Sequence, residues 1–222
     1  MALLHIVRVF TGPAGTGGNP LGVFLDGAEV APADRQSVAA ELGFSETVYV
    51  TDAVRGELGI FTPAAELPLA GHPLVGTAWL LAREREAVDL LRPPAGEIPT
   101  WAESGRTWIR ALPEQAPDFR FEQLGSPRAV DALEGPPAGS DPVEVWAYAD
   151  ESAGIVRARM FAPGLGVDED EATGSAALRL CAALGRALEI RQGAGSVIHA
   201  RPGPGRTIEV GGTVGLVERR EL

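Results

Sequence analysis

Twice in this chain a tract of glycine and small residues runs directly into a long apolar segment with helical spacing. The first is LAGHPLVGTAWLLARE, residues 69–84, and the second is EATGSAALRLCAALGR, residues 171–186. In the first, Leu74, Val75, Ala78, Trp79 and Ala82 recur at helical intervals, so the helix must be largely surrounded by other structure. Two buried helices with the same kind of start, one in each half, read as an internal duplication, although similar helix-start chemistry arising independently gives the same pattern. A length of 222 residues suffices for one large domain or two small ones around such helices.

The segments between read mainly as strands. LLHIVRVF and LGVFLDG flank the glycine-rich TGPAGTGGNP, and SETVYVTD and GELGIFTP are rich in β-branched and aromatic residues. A helix from Pro32 to Leu42, ended by Gly43 in a left-handed conformation, separates the two pairs. LRPPAGEIPTWAESG is rich in proline and glycine and reads as the junction between the halves. Strands follow at Thr107–Leu112, VEVWAYA and IVRARMF, then the helix from about Gly174. The expected closing strands are Ser196–Ala200, Thr207–Val210 and Thr213–Val217.

Several function classes fall on composition. All 19 basic residues are arginine, so no lysine exists to form a Schiff base or to complete a Walker-type phosphate loop. A net charge of -11 argues against general attraction to nucleic acid or anionic membranes. The single cysteine, Cys181, excludes a two-thiol racemase and is expected to pack in the core. His5, His72 and His199 are scattered without metal-ligand spacing, and no metal or cofactor is expected. The opening MALLHIVRVF lacks the apolar run of a signal peptide, which makes a cytoplasmic protein the expectation.

Glu46 stands out among the candidates for chemistry. In a strand it shares a face with Val48 and Val50, where burial would raise its pKa into the range useful for a general acid or base; a rim position at the strand end is the plain structural alternative. His72 lies at the mouth of the first apolar helix, where free amides favour an anion and a histidine stays neutral. Taken alone it is more often structural. At the second helix start, the amides of Gly174 and Ser175 and the hydroxyls of Thr173 and Ser175 could hold a carboxylate without any lysine. The four preceding acids, Asp168 to Glu171, read mostly as solvated or capping groups. Asn19, the one asparagine, sits inside GTGGNP.

VRVFTG with GGNPLGVFL, ELGFSETVYV, IFTPAAELPLAGHPLVGTAWLL and RMFAPGLGVDEDEATGSAA occur in this order along the chain, and together they resemble the PhzF-like family of phenazine-biosynthesis-type isomerases. The resemblance implies an α+β, diaminopimelate-epimerase-like fold of two pseudo-symmetric domains, each a curved mixed sheet around a central helix. The expected domains are residues 1–103 and 104–222, with the closing strand of the first left open to contribution from the C-terminal end. It further implies that Glu46 carries the proton, that His72 and Asp170 complete the catalytic set, and that Asn19, Ser45, Gly71, Thr173, Gly174 and Ser175 bind substrate. The partner implied is a small carboxylate-bearing molecule, and the assembly a homodimer.

Two departures stand against the pattern. Glu171 occupies a position where the family usually has proline, and the chain is short before VEVWAYA. The activity implied is a cofactor-independent hydrogen shift. Two alternatives stay open: a non-catalytic binding protein on the same fold, and an epimerase or racemase, which needs a second proton donor opposite Glu46.

Overall fold

The structure is a computed structural model that describes residues 2–139, 142–165 and 167–222. Its elements run β1 (Leu3–Thr11), β2 (Gly17–Phe24), α1 (Arg35–Leu42), β3 (Glu46–Asp52), β4 (Glu57–Phe61), β5 (Glu66–Leu67), α2 (Gly71–Glu84), β6 (Leu90–Leu91), β7 (Ile98–Glu103) and β8 (Arg106–Ala111). The second half continues with β9 (Arg120–Gln123), α3 (Pro127–Asp131), β10 (Val143–Asp150), β11 (Ile155–Ala162), β12 (Val167–Asp170), α4 (Gly174–Leu184), β13 (Leu188–Gln192), β14 (Ser196–Pro202) and β15 (Ile208–Glu221). This is the expected α+β architecture, with parallel pairs β2/β3, β9/β10 and β11/β13 in an otherwise antiparallel sheet.

The strand order is β5-β4-β3-β2-β1-β15-β14-β13-β11-β10-β9, with β12 added to β11 and the β6–β7–β8 run joined through β8 to β15. One strand therefore ties the halves together. Residues 208–212 of β15 pair with β8, and residues 208–211 also with β14, while residues 213–221 pair with β1. The two strands expected here, Thr207–Val210 and Thr213–Val217, are one strand in the structure. The chain runs straight through, because a side chain at Gly211 would collide with Trp108 and one at Gly212 with Phe10. These glycines admit neighbouring aromatics rather than end a strand.

Helix α2 packs against β1, β2, β3, β7, β8 and β15, and α4 against β14 and β15, so each half wraps sheet around one apolar helix. Their side chains belong to one core that includes Leu74, Leu80 and Leu81 from α2 and Leu178, Leu180 and Cys181 from α4. Cys181 is buried, and burial pushes its thiol up to about 12. Helix α1 starts three residues later than expected, after a turn at Pro32–Asp34, and ends at Gly43 with φ +68° as its position requires. Ser104 and Gly105, both at positive φ, form the two-residue turn of the β7–β8 hairpin, which spans the expected domain boundary. No helix of the described residues is long and apolar enough to cross a membrane.

Candidate active site

The starts of α2 and α4 meet head to head between the halves. A Cβ on Gly71 would stand 2.7 Å from the carbonyl carbon of Gly174, and one on Gly174 would stand 3.0 Å from the Gly71 Cα. Only glycine at both positions lets the backbones approach this closely. Among the described residues no protein acceptor takes the amides of Gly71, His72, Gly174 or Ser175. Two helix N-termini with free donors thus point into one region, an arrangement that favours an anion.

Asn19, brought in by β2, is the hub of the surrounding polar groups and is only 2% exposed. Its Nδ2 donates to Asp170 Oδ1 (2.7 Å) and to the Ala172 carbonyl (3.0 Å), while its Oδ1 accepts from the Ser45 hydroxyl (3.2 Å). The same Nδ2 lies 3.4 Å from His72 Nδ1. An amide nitrogen facing Nδ1 places the imidazole proton on Nε2, which stands 3.3 Å from Glu46 Oε2. That contact is not an ion pair, since burial lowers the His72 pKa to about 3, and it lacks the alignment of a hydrogen bond in this state.

Glu46 opens β3, with Val48 and Val50 behind it in the core, and its side chain is 15% exposed. Burial first, and the charge of Asp170 second, push its pKa up to about 8, partly offset by the Ser45 hydroxyl. Asp170, at the end of β12, is pushed up to about 6 by burial, opposed by hydrogen bonds from Thr173 Oγ1 (2.6 Å to Oδ2) and Asn19. Two carboxyl groups from different halves are therefore both held above the ordinary carboxylate range.

Both line a cavity of about 160 Å³. Ser45, Thr173 and Ser175 join them on its polar side, Phe119 and Met160 are among its apolar lining, and no arginine is among its described lining residues. Asn19, Gly71, His72 and Gly174 are not among its described lining residues, which reach the two helix starts at Ala70, Thr173 and Ser175.

Some residues around the site carried no signal in the sequence. Gln192 of β13, 1% exposed, donates to the Asp170 carbonyl (2.8 Å) and to Thr173 Oγ1 (3.0 Å), and accepts from the Thr173 amide (3.2 Å). Glu144 of β10 is wholly buried, with neither carboxyl oxygen hydrogen-bonded among the described residues. Its place in VEVWAYA alternates with valines and gives no hint of chemistry. Of the other acids before α4, Glu169 pairs with Arg159 (2.7 Å) and Asp168 is exposed.

Comparison with known proteins identifies the family and the fold. The family model described as "Phenazine biosynthesis-like protein" (PhzC-PhzF) matches residues 7–138 and 138–216. The chain is 34% identical over 217 aligned positions to the trans-2,3-dihydro-3-hydroxyanthranilate isomerase of Pseudomonas fluorescens, covering 79% of this chain and 77% of that one. An uncharacterized isomerase of Deinococcus radiodurans is 32% identical over 274 positions, covering 93% and 87%. Among solved structures, a putative phenazine biosynthesis PhzC/PhzF protein from Clostridium difficile superposes with a TM-score of 0.80 at 18% identity over 100% of this chain and 99% of that one. A hydroxyproline epimerase from Agrobacterium vitis gives 0.61 at 11% identity over 99% and 91%, which places the chain on the wider diaminopimelate-epimerase-like fold. By the extent of these matches, the chain belongs to the PhzC/PhzF phenazine-biosynthesis-like family and is an isomerase.

Proposed function

We propose that this protein is a cofactor-independent isomerase that moves a proton on a small carboxylate-bearing molecule, with Glu46 as the proton carrier. The observation that carries the reading is one cavity lined by two carboxyl groups from different halves, Glu46 and Asp170, both held above the ordinary carboxylate range by burial. Two buried carboxyl groups on one cavity do not readily ionise together, so the pair passes through a state that holds one proton and offers both an acid and a base. The substrate carboxylate sits at the free amides of the α2 and α4 starts, with Ser175 and Thr173 beside it.

In the reaction a C–H bond adjacent to an unsaturated group breaks and its proton passes to a site carboxylate. The double bond migrates, and a carboxylic acid returns a proton two atoms away. Nothing is oxidised or reduced. Neutral His72, with Nε2 3.3 Å from Glu46 Oε2, becomes a donor to the charged form of Glu46 when the two realign as Glu46 acts as base. The cavity volume suits one small ring, and Phe119 and Met160 supply an apolar wall for it.

The relative's own substrate, trans-2,3-dihydro-3-hydroxyanthranilate, is the first compound to try, followed by a panel of small unsaturated carboxylic acids, with conversion followed by proton NMR. Conversion of at least one to a positional isomer supports the reading; binding without conversion across the panel favours the non-catalytic alternative. Since Glu46 and Asp170 come from different halves, inversion at a single carbon remains the second reading, and deuterium appearing at that carbon with inversion would favour it. Family membership also supports a cytoplasmic homodimer, which light scattering would read as twice the 23.2 kDa chain.

A further inference from the structure

Glu171 follows Asp170 directly, yet its carboxylate turns into the β13–β14 turn. It accepts from the Ala194 amide (2.9 Å to Oε1, 3.0 Å to Oε2), and Oε1 also accepts from the Ser196 hydroxyl (2.7 Å). Ser196 is wholly buried, and its Oγ accepts in turn from the Gly18 amide (2.8 Å). Gly18 precedes Asn19, whose side chain reaches back to Asp170. The links close a ring that runs Glu171, Ser196, Gly18, Asn19, Asp170 and crosses between the two halves. The space is fitted to it: a Cβ on Gly193 would run into the Glu171 carboxylate, and one on Gly17 would stand 2.5 Å from the Ser196 amide nitrogen. Both glycines have positive φ, which other residues rarely adopt.

We propose that Glu171 is a positioning residue for the site: its carboxylate clamps the β12–α4 connection to the β13–β14 turn and, through Ser196 and Gly18, sets the backbone that presents Asn19 to Asp170. The inference rests on the reading of Asp170 as a site group. A carboxylate suits the task because it can accept from an amide and a hydroxyl at once, and such charge-assisted bonds are stronger than neutral ones. Its charge has a second consequence. Of the titratable groups near Asp170, Glu46 from β3 and Glu144 from β10 are kept protonated by burial and His72 from α2 is neutral; the Glu171 charge helps to hold the Asp170 carboxyl above its ordinary range.

The test compares Glu171→Ala and Glu171→Gln with the wild-type chain by NMR, reading amide exchange at Ala194 and Gly18 and the carboxyl titration of Asp170, assigned by its loss in Asp170→Asn. In Glu171→Ala both amides exchange faster, by about tenfold or more. Glu171→Gln restores protection, because the amide oxygen accepts the same bonds, yet the Asp170 midpoint falls by about half a pH unit or more. Unchanged protection at Gly18 in the alanine variant overturns the clamp, and an unmoved Asp170 midpoint in the glutamine variant overturns the electrostatic part. Should the alanine variant not fold, Glu171→Asp takes its place for the clamp: a side chain one carbon shorter withdraws from Ala194 and Ser196, faster exchange at Ala194 and Gly18 is expected, and unchanged exchange overturns the clamp. Neither readout uses turnover, so failure here is distinct from failure of the isomerase reading.

Discussion

Glu144 offers a test of the electrostatics with a magnitude that can be worked out. It shares one row of the sheet with Phe121, Met160 and Asp170 across β9 to β12, is wholly buried, and has no hydrogen-bond partner among the described residues. Burial, and then the charge of Asp170, push its pKa from 4.5 up to about 8. Because the folded value lies above the unfolded one, the native state holds an extra proton between them. The contribution of this group to stability is therefore full below about pH 4.5, falls as pH rises, and is gone above about pH 8. The gap corresponds to about 4 kcal/mol by pH 8 and almost none at pH 4.

Glu144→Gln keeps the shape and cannot ionise. Its stability relative to wild type should rise by about 4 kcal/mol between pH 4 and pH 8, a relative gain of roughly 8–16 °C in Tm for a chain of this size. Urea unfolding followed by tryptophan fluorescence at the two pH values reads this directly. Comparing the differences cancels whatever the buried amide itself costs. An identical stability difference at both values would refute the assignment of Glu144 as a buried carboxyl held neutral by its surroundings.

Three further outcomes are expected. Gly71→Ala forces a methyl to within 2.7 Å of the Gly174 carbonyl carbon and should cost about 1–3 kcal/mol, read as a lowered Tm; an unchanged Tm would contradict the head-to-head helix contact. Asn19→Ala should raise the Asp170 midpoint, because the Asn19 hydrogen bond holds it down, and should cost about 2–4 kcal/mol by leaving buried groups unpaired; NMR titration and urea unfolding check both. Turnover should rise as the Glu46–Asp170 pair loses its first proton and fall as it loses its second, both steps lying above the ordinary carboxylate range because both groups are buried, so a kcat/KM profile flat from pH 5 to 9 would count against a singly protonated pair.

Where side-chain period and turn chemistry were strong, the fold was readable from sequence. The two apolar helices, the Gly43 cap and the strands around Val48 and Val145 follow from patterns that local residues dictate. The course of β15 was not readable, because Gly211 and Gly212 look like a break until Trp108 and Phe10 are known to lie against them. The short α3 and β13 also escaped notice, α3 lying beside the proline- and glycine-rich stretch and β13 having only five residues. Within the site, Glu46 was legible as a carboxylate on an apolar strand face. The roles of Asn19 and Asp170 needed the family resemblance, since β2 and β12 meet only in three dimensions. Gln192 and the turn taken by Glu171 depend on contacts more than 18 residues away in sequence, which no local pattern encodes.

The central claim, that Glu46 moves the proton, is tested most directly by solvent deuterium. Wild type and Glu46→Gln are incubated in D2O with the compound that the wild type converts, and incorporation at carbon is followed by NMR. The wild type should place deuterium at the new C–H position. The variant, with an unchanged circular dichroism spectrum, should incorporate it on the order of a thousandfold more slowly. Incorporation by Glu46→Gln at the wild-type rate would contradict the account.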